Sequence, residues 1–190
     1  MQTLGLSDST PRTQGRLKSL FWPTIENDND VDYLTRQGFW LCTIVAGLTL
    51  IVSLLMGNLA AALLDVLFFF MCGIGIRTGN RIAAICAFVA YLLTGFVMMK
   101  MGVQGFSIMR IIGLALLLSN IRATFLAARW VASRTEPPPV PLTRTFLERF
   151  ADVMPRKVWP AGQYVFYVLA AIEMFGLVSA LVMPASMYVH

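Results

Sequence analysis

Histidine is almost missing from this chain; the only one is His190. A Ser/His or Cys/His dyad has no base elsewhere, and one histidine cannot furnish a His-ligated zinc or haem site. Cysteine is scarce too. Cys42, Cys72 and Cys86 all lie in apolar runs without a CxxC spacing, so they read as small buried residues and not as a redox pair or metal site. Charge is the third shortage. Charged residues make up 13% of the chain, where an ordinary globular domain carries about 25%. Soluble nucleic-acid binders, disulfide scaffolds and disordered chains are excluded on that ground. What is abundant is apolar surface: 57% of the 190 residues are hydrophobic, and mean hydropathy is +0.70. The composition is that of an integral membrane protein.

The apolar residues fall into spans of bilayer length. From Phe39 to Ile76 there are 38 residues with one charge, Asp65. That is about 57 Å of helix, twice the hydrocarbon thickness, and Gly57-Asn58 is the only turn signal near its middle. The spacing therefore predicts two spans, 39–57 and 59–76, joined by a tight hairpin. A third follows at 82–99, between Arg81 and Lys100. The fourth is the least regular, because Arg110 and Arg122 leave too few uncharged residues between them to cross; the workable frame is 106–131. The fifth is 162–183, followed by a short tail, 184–190. The fold class predicted is all-α membrane: about five transmembrane helices, plus one or two interfacial amphipathic helices. The first span begins too late for a cleaved signal peptide and reads as a signal-anchor.

The polar segments have their own organisation. Leu17, Leu20 and Phe21 fall at helical spacing beside Arg16 and Lys18, either a short interfacial helix or a juxtamembrane turn. Glu26–Asp32 carries four acids, but Tyr33 and Phe39 stand where a calcium loop needs Gly and Glu. Asp30 or Asp32 is then expected to cap the first helix, with Tyr33, Phe39 and Trp40 as an interfacial aromatic belt. Between spans four and five, region 132–160 holds a stiff linker with Pro137, Pro138, Pro139 and Pro141. A second interfacial helix follows, with Leu142, Phe146, Phe150 and Val153 on one face, ended by Pro155. Twelve of the fifteen basic residues fall on one side of a five-span topology. The bias puts the N-terminal segment 1–38 in the cytoplasm and the C-terminus outside.

Charge inside a span is costly and finds a partner. The intramembrane candidates are Asp65, Arg110, Asn120, Arg122 and Glu173. Helix depth allows an Arg122–Glu173 pair and an Asp65–Arg110 pair, serving either as interhelical glue or as a gate or proton relay. Gly73, Gly75 and Gly79 are helix-packing candidates, within the chain or between copies, with Gly75 and Gly79 spaced as GxxxG. The run GIGIRTG lacks the third glycine of a phosphate loop and follows no strand. Arg77, Arg81, Arg144 and Arg149 are candidates for lipid headgroup contact.

Three stretches, GIGIRTGNRIAAICAFVAYLL (73–93), LLLSNIRATFLAARW (116–130) and RQGFW (36–40), resemble small uncharacterised bacterial multi-span membrane proteins. The resemblance implies a bacterial inner-membrane location and no activity. With no catalytic set, cofactor site or metal site in view, the expected function is a non-catalytic subunit or scaffold of a membrane complex. Its partners would be the lipid bilayer and a protein or a second copy, not nucleic acid. The alternative is a small-solute or ion transporter using Asp65, Arg122 and Glu173; a lipid-acting membrane enzyme comes third.

Overall fold

A computed structural model describes residues 28–55, 57, 59–133 and 146–183 of the chain. They form five helices and no strand: α1 Asp28–Leu55, α2 Leu59–Arg77, α3 Arg81–Lys100, α4 Ile108–Ser133 and α5 Phe146–Val182. Four contain stretches long and apolar enough to cross a membrane: Val31–Leu55, Arg81–Lys100, Ile108–Ala128 and Phe150–Val182. The fifth, α2, has 19 residues and is about 28 Å long; it packs antiparallel along α1. The protein is an all-α membrane protein. The segment around Leu17–Phe21, the proline-rich stretch 134–141 and the tail 184–190 lie outside the described residues.

Glycine and asparagine set the turns. Gly79 and Gly102 have φ of 80° and 74°, a region that residues with a Cβ avoid. At the end of α2, Asn80 N–H donates to Gly75 C=O at 2.8 Å and Gly79 N–H to Ile76 C=O at 3.0 Å. The same pair of bonds, Val103 to Met98 and Gly102 to Met99, closes α3. Each is the paired capping pattern that satisfies the last carbonyls of a helix. Asn80 then starts α3, its side chain accepting from Ala83 N–H at 3.0 Å. Gly79 is thus a turn residue. A Cβ there would meet nothing within 4 Å, so the GxxxG spacing is not a packing motif.

Helix α3 occupies the middle of the packing, against α2, α4 and α5; α1 lies on α2 and α4. Its sequence explains its place. Ala83, Ala84, Ala87 and Ala90 are fully buried, and Gly95 is buried above them. A stripe of small side chains lets neighbouring backbones come close, the main source of helix association where water exclusion no longer helps. Two glycines of α2 work on opposite sides. Gly73 faces α1, with Phe39 C=O and Cys42 Cβ each 3.1 Å from where a Cβ would stand. Gly75 faces α3 and α5, against Ala83 and the Trp159 indole. Around them the aromatics fill space: Phe68 stacks on Phe166 with centroids 6.4 Å apart, and Phe69 meets Tyr91 edge-on.

Three expectations are corrected. Helix α1 begins well before residue 39, and Asp32 lies inside it as an ion-pair partner of Arg36 four residues on, not as a cap. Phe39 is fully buried against Gly73 and not part of an interfacial belt. Most plainly, α5 runs unbroken for 37 residues through Pro155 and Pro160. An internal proline costs a helix about 3 kcal/mol. Here the chain is held by Asp152 before the prolines, by Trp159 between them and by Gly162 and Phe166 after them, the last three against α2. Ala151, Asp152 and Pro155 are buried within the bundle, while Phe150 and Val153 of the expected apolar face stay exposed. The fourth span is one continuous helix, with Phe106 outside it, packed edge-on against Phe96.

Gly75→Ala should lower the thermal midpoint of the detergent-solubilised protein by several degrees. Its Cβ would sit 2.6 Å from the Trp159 ring and press on Ala83, an overpacking cost of about 1–3 kcal/mol. Gly47→Ala, whose Cβ meets nothing within 4 Å, should leave the midpoint unchanged or raise it slightly. Equal midpoints for the two variants would contradict this packing.

Candidate functional site

The densest polar constellation is at the Arg77 end of the bundle. The capping turn after α2 leaves Arg77 in the last helical turn, where the helix dipole favours a cation. Its side chain is only 7% exposed. Nη2 donates to Asp32 Oδ1 of α1 at 2.6 Å and also to Asp152 Oδ1 of α5, which Nε reaches at 3.1 Å. Nη1 donates to Thr35 Oγ1 at 2.8 Å, and the Thr35 hydroxyl donates back to Val31 C=O at 3.0 Å. Arg36 completes the set, Nη2 to Asp32 Oδ2 at 2.8 Å. Two guanidiniums and two carboxylates balance in charge, and three helices meet at one planar group. The guanidinium donates and the carboxylates accept, so the arrangement fastens three helices to one planar group.

The intramembrane acids meet each other. The Asp65 and Glu173 carboxyls are hydrogen-bonded across the α2–α5 contact, both half-buried. The pairings expected from depth are not the ones formed. Arg110 lies over the Tyr91 ring, 5.1 Å from its centroid, in the α3–α4 contact. Glu173 has Asp65 as its hydrogen-bond partner, whereas Arg122 is on α4, which packs against α1 and α3. Depth along a helix was readable from the chain; which helices are neighbours was not.

Asn120 is fully buried. Its Nδ2 donates to Leu116 C=O at 2.9 Å, and its Oδ1 points to the place where a Cβ on Gly38 would be. The amide oxygen is thus packed toward Gly38 of α1, buried and with no hydrogen-bond donor among the described residues. At the far end, Lys100 Nζ donates to the carbonyls of Ala180 at 3.0 Å, Leu181 at 2.7 Å and Met183, closing the C-terminus of α5.

Arg77, expected at lipid headgroups, is thus an interior fastener. Arg81 is exposed, with its guanidinium 4.9 Å from the Phe125 centroid. Arg144 and the Arg149 side chain lie outside the described part. Sequence reasoning missed Asp32, Thr35, Asp152 and Gly38. Only the Asp32/Arg36 spacing of four carried a local signal. Lys100 was read as the close of a span, not as a cap on another helix.

Among the described residues no three His, Cys, Asp or Glu side chains gather as a metal site. Cys72 has Cys42, Cys86 and Glu173 as electrostatic neighbours, with Cys42 and Cys72 fully buried. No family model, curated protein or solved structure matches the chain.

Arg77→Ala should cost about 3–5 kcal/mol, because it takes the guanidinium away from Asp152, whose side chain is 6% exposed. The double variant Arg77→Ala/Asp152→Ala should recover a large part of the loss. The check is thermal unfolding of each protein in the same detergent. A double variant no more stable than the single one would show that the pair is not the fastening.

Proposed function

We propose that the protein is a non-catalytic subunit or scaffold of a membrane complex. The observation that carries this reading is where the membrane polar groups go. Arg77 joins α1, α2 and α5; Asn120 joins α4 to α1; Lys100 joins α3 to α5; Asp65 and Glu173 join α2 to α5. The Arg77 and Asp65–Glu173 sets share the α2–α5 contact while the other two lie on α1–α4 and α3–α5, an arrangement that ties helices together, where a conduit needs polar groups along one path. A frame fastened this way keeps its outer faces for other molecules. Helix α5 has the least covered of the membrane-crossing stretches, with Tyr164, Val168, Phe175 and Val182 all exposed, Phe175 at 76%. This face is the docking surface for a partner chain or a second copy, in addition to lipid. The basic bias and the resemblance support a bacterial inner membrane with the Arg77 end toward the cytoplasm. The reading requires no cofactor and no nucleic acid.

A second reading, proton-linked movement of a small solute or ion using Asp65, Arg122 and Glu173, is favoured by the carboxyl pair. Proton-sharing acids inside a span are a recurring feature of such carriers.

A photo-crosslinking residue in place of Val168 or Phe175, activated in native membranes, should give one discrete protein adduct. The same residue in place of Ile44 of α1, also exposed, should give lipid adducts only. Lipid adducts alone from all three positions would remove the subunit reading. If reconstituted vesicles show pH-dependent flux that Glu173→Gln abolishes in a protein of unchanged stability, the carrier reading takes its place.

A further inference from the structure

We propose that the groove between α3 and α4 at the Arg77 end is a binding site for the phosphate of an anionic phospholipid, with Arg81 as its anchor. The first observation concerns charge. Helices α3 and α4 carry Arg81, Lys100, Arg110, Arg122 and Arg129 and no aspartate or glutamate. Lys100 and Arg110 belong to the opposite end, where α5 carbonyls and the Tyr91 ring occupy them. Asp32 and Asp152 of the neighbouring helices are held by Arg77, and the other acids of that end, Asp28, Asp30 and Glu148, belong to α1 and α5. The two helices of the groove therefore bring no carboxylate to it, and Arg81 makes its α3 wall basic.

The second observation is how Arg81 is held. It is exposed and opens α3, yet its guanidinium lies sideways over the Phe125 ring of α4, 4.9 Å from the centroid. The attraction between cation and ring fixes the group across the groove. A guanidinium carries its N–H donors around its edge, in a fork that fits a phosphate, and contact through the carbon over a ring does not use them. Arg122 stands one turn before Phe125 on α4, on the same side of that helix.

The third observation separates a lipid from a free anion. Ile85, one turn from Arg81, and Ile82 beside it are exposed, as is Phe125. The basic edge thus borders an apolar wall on two helices long enough to span the bilayer. A molecule with a phosphate on top and acyl chains below matches both parts. Basic pockets between membrane helices recognise headgroups by this combination.

The full-length protein in mild detergent should be titrated with phosphatidylglycerol and with phosphatidylcholine, counting bound lipids by native mass spectrometry. Phosphatidylglycerol should bind about five-fold more tightly, and Arg81→Gln should abolish that preference. Phe125→Leu, which keeps every charge but removes the ring, should weaken it and serves if Arg81→Gln does not fold. Arg156→Gln, at an exposed arginine of α5, should leave it intact. Equal binding of the two lipids to the native protein would overturn the proposal. So would full preference in Arg81→Gln, an equal loss in Arg156→Gln, or displacement of the lipid by millimolar inorganic phosphate.

Discussion

Taking a guanidinium out of water costs several kcal/mol unless its donors find acceptors, and Arg77 meets that condition only by drawing on three helices. Asp32 and Thr35 come from α1, Asp152 comes from α5, and Arg77 itself ends α2. The geometry of the rest follows from this requirement. It carries α1 down to Asp28, because the acid that answers Arg77 must be presented on a formed helix. It turns the polar side of α5 inward around residue 152 and leaves Phe150 and Val153 outside. It also steadies α5 on the near side of two prolines that would end a helix standing alone.

Small side chains then decide how closely the helices approach. The alanine stripe of α3 and the two glycines of α2 remove bulk where three helices converge, and Trp159 enters the space left at Gly75. Helix α5 is tied at one end to Arg77 and at the other, through residues 180–183, to Lys100. Between those ties one long apolar side of α5 stays uncovered.

The polar groups inside the membrane show why a list of costly residues is not yet a site. Asp65 and Glu173 share a hydrogen bond, Arg110 rests on an aromatic ring, and Asn120 leans on a glycine. None of the three uses an opposite charge, and Arg110 Nη1 and Asn120 Oδ1 stay buried with no hydrogen-bond partner among the described residues, which is why matching acids to arginines by depth did not find these neighbours.

The membrane class, the helical content and the hairpin turn at Gly57 were legible in the chain, whereas Gly79, expected as a packing position, is a turn residue. They depend on local properties: apolar run length against bilayer thickness, and the need for glycine where φ is positive. Gly73 and Gly75 were legible as packing positions because few other side chains let two membrane helices touch. The role of Arg77, the partner of Glu173, the continuity of α5 through Pro155 and the choice of its buried face were decided by tertiary structure alone. Periodicity assigns each residue to a side of its own helix. Which helix lies on that side, and with what charge, depends on residues far off in the chain, 75 positions for Arg77 and Asp152 and 83 for Lys100 and Met183.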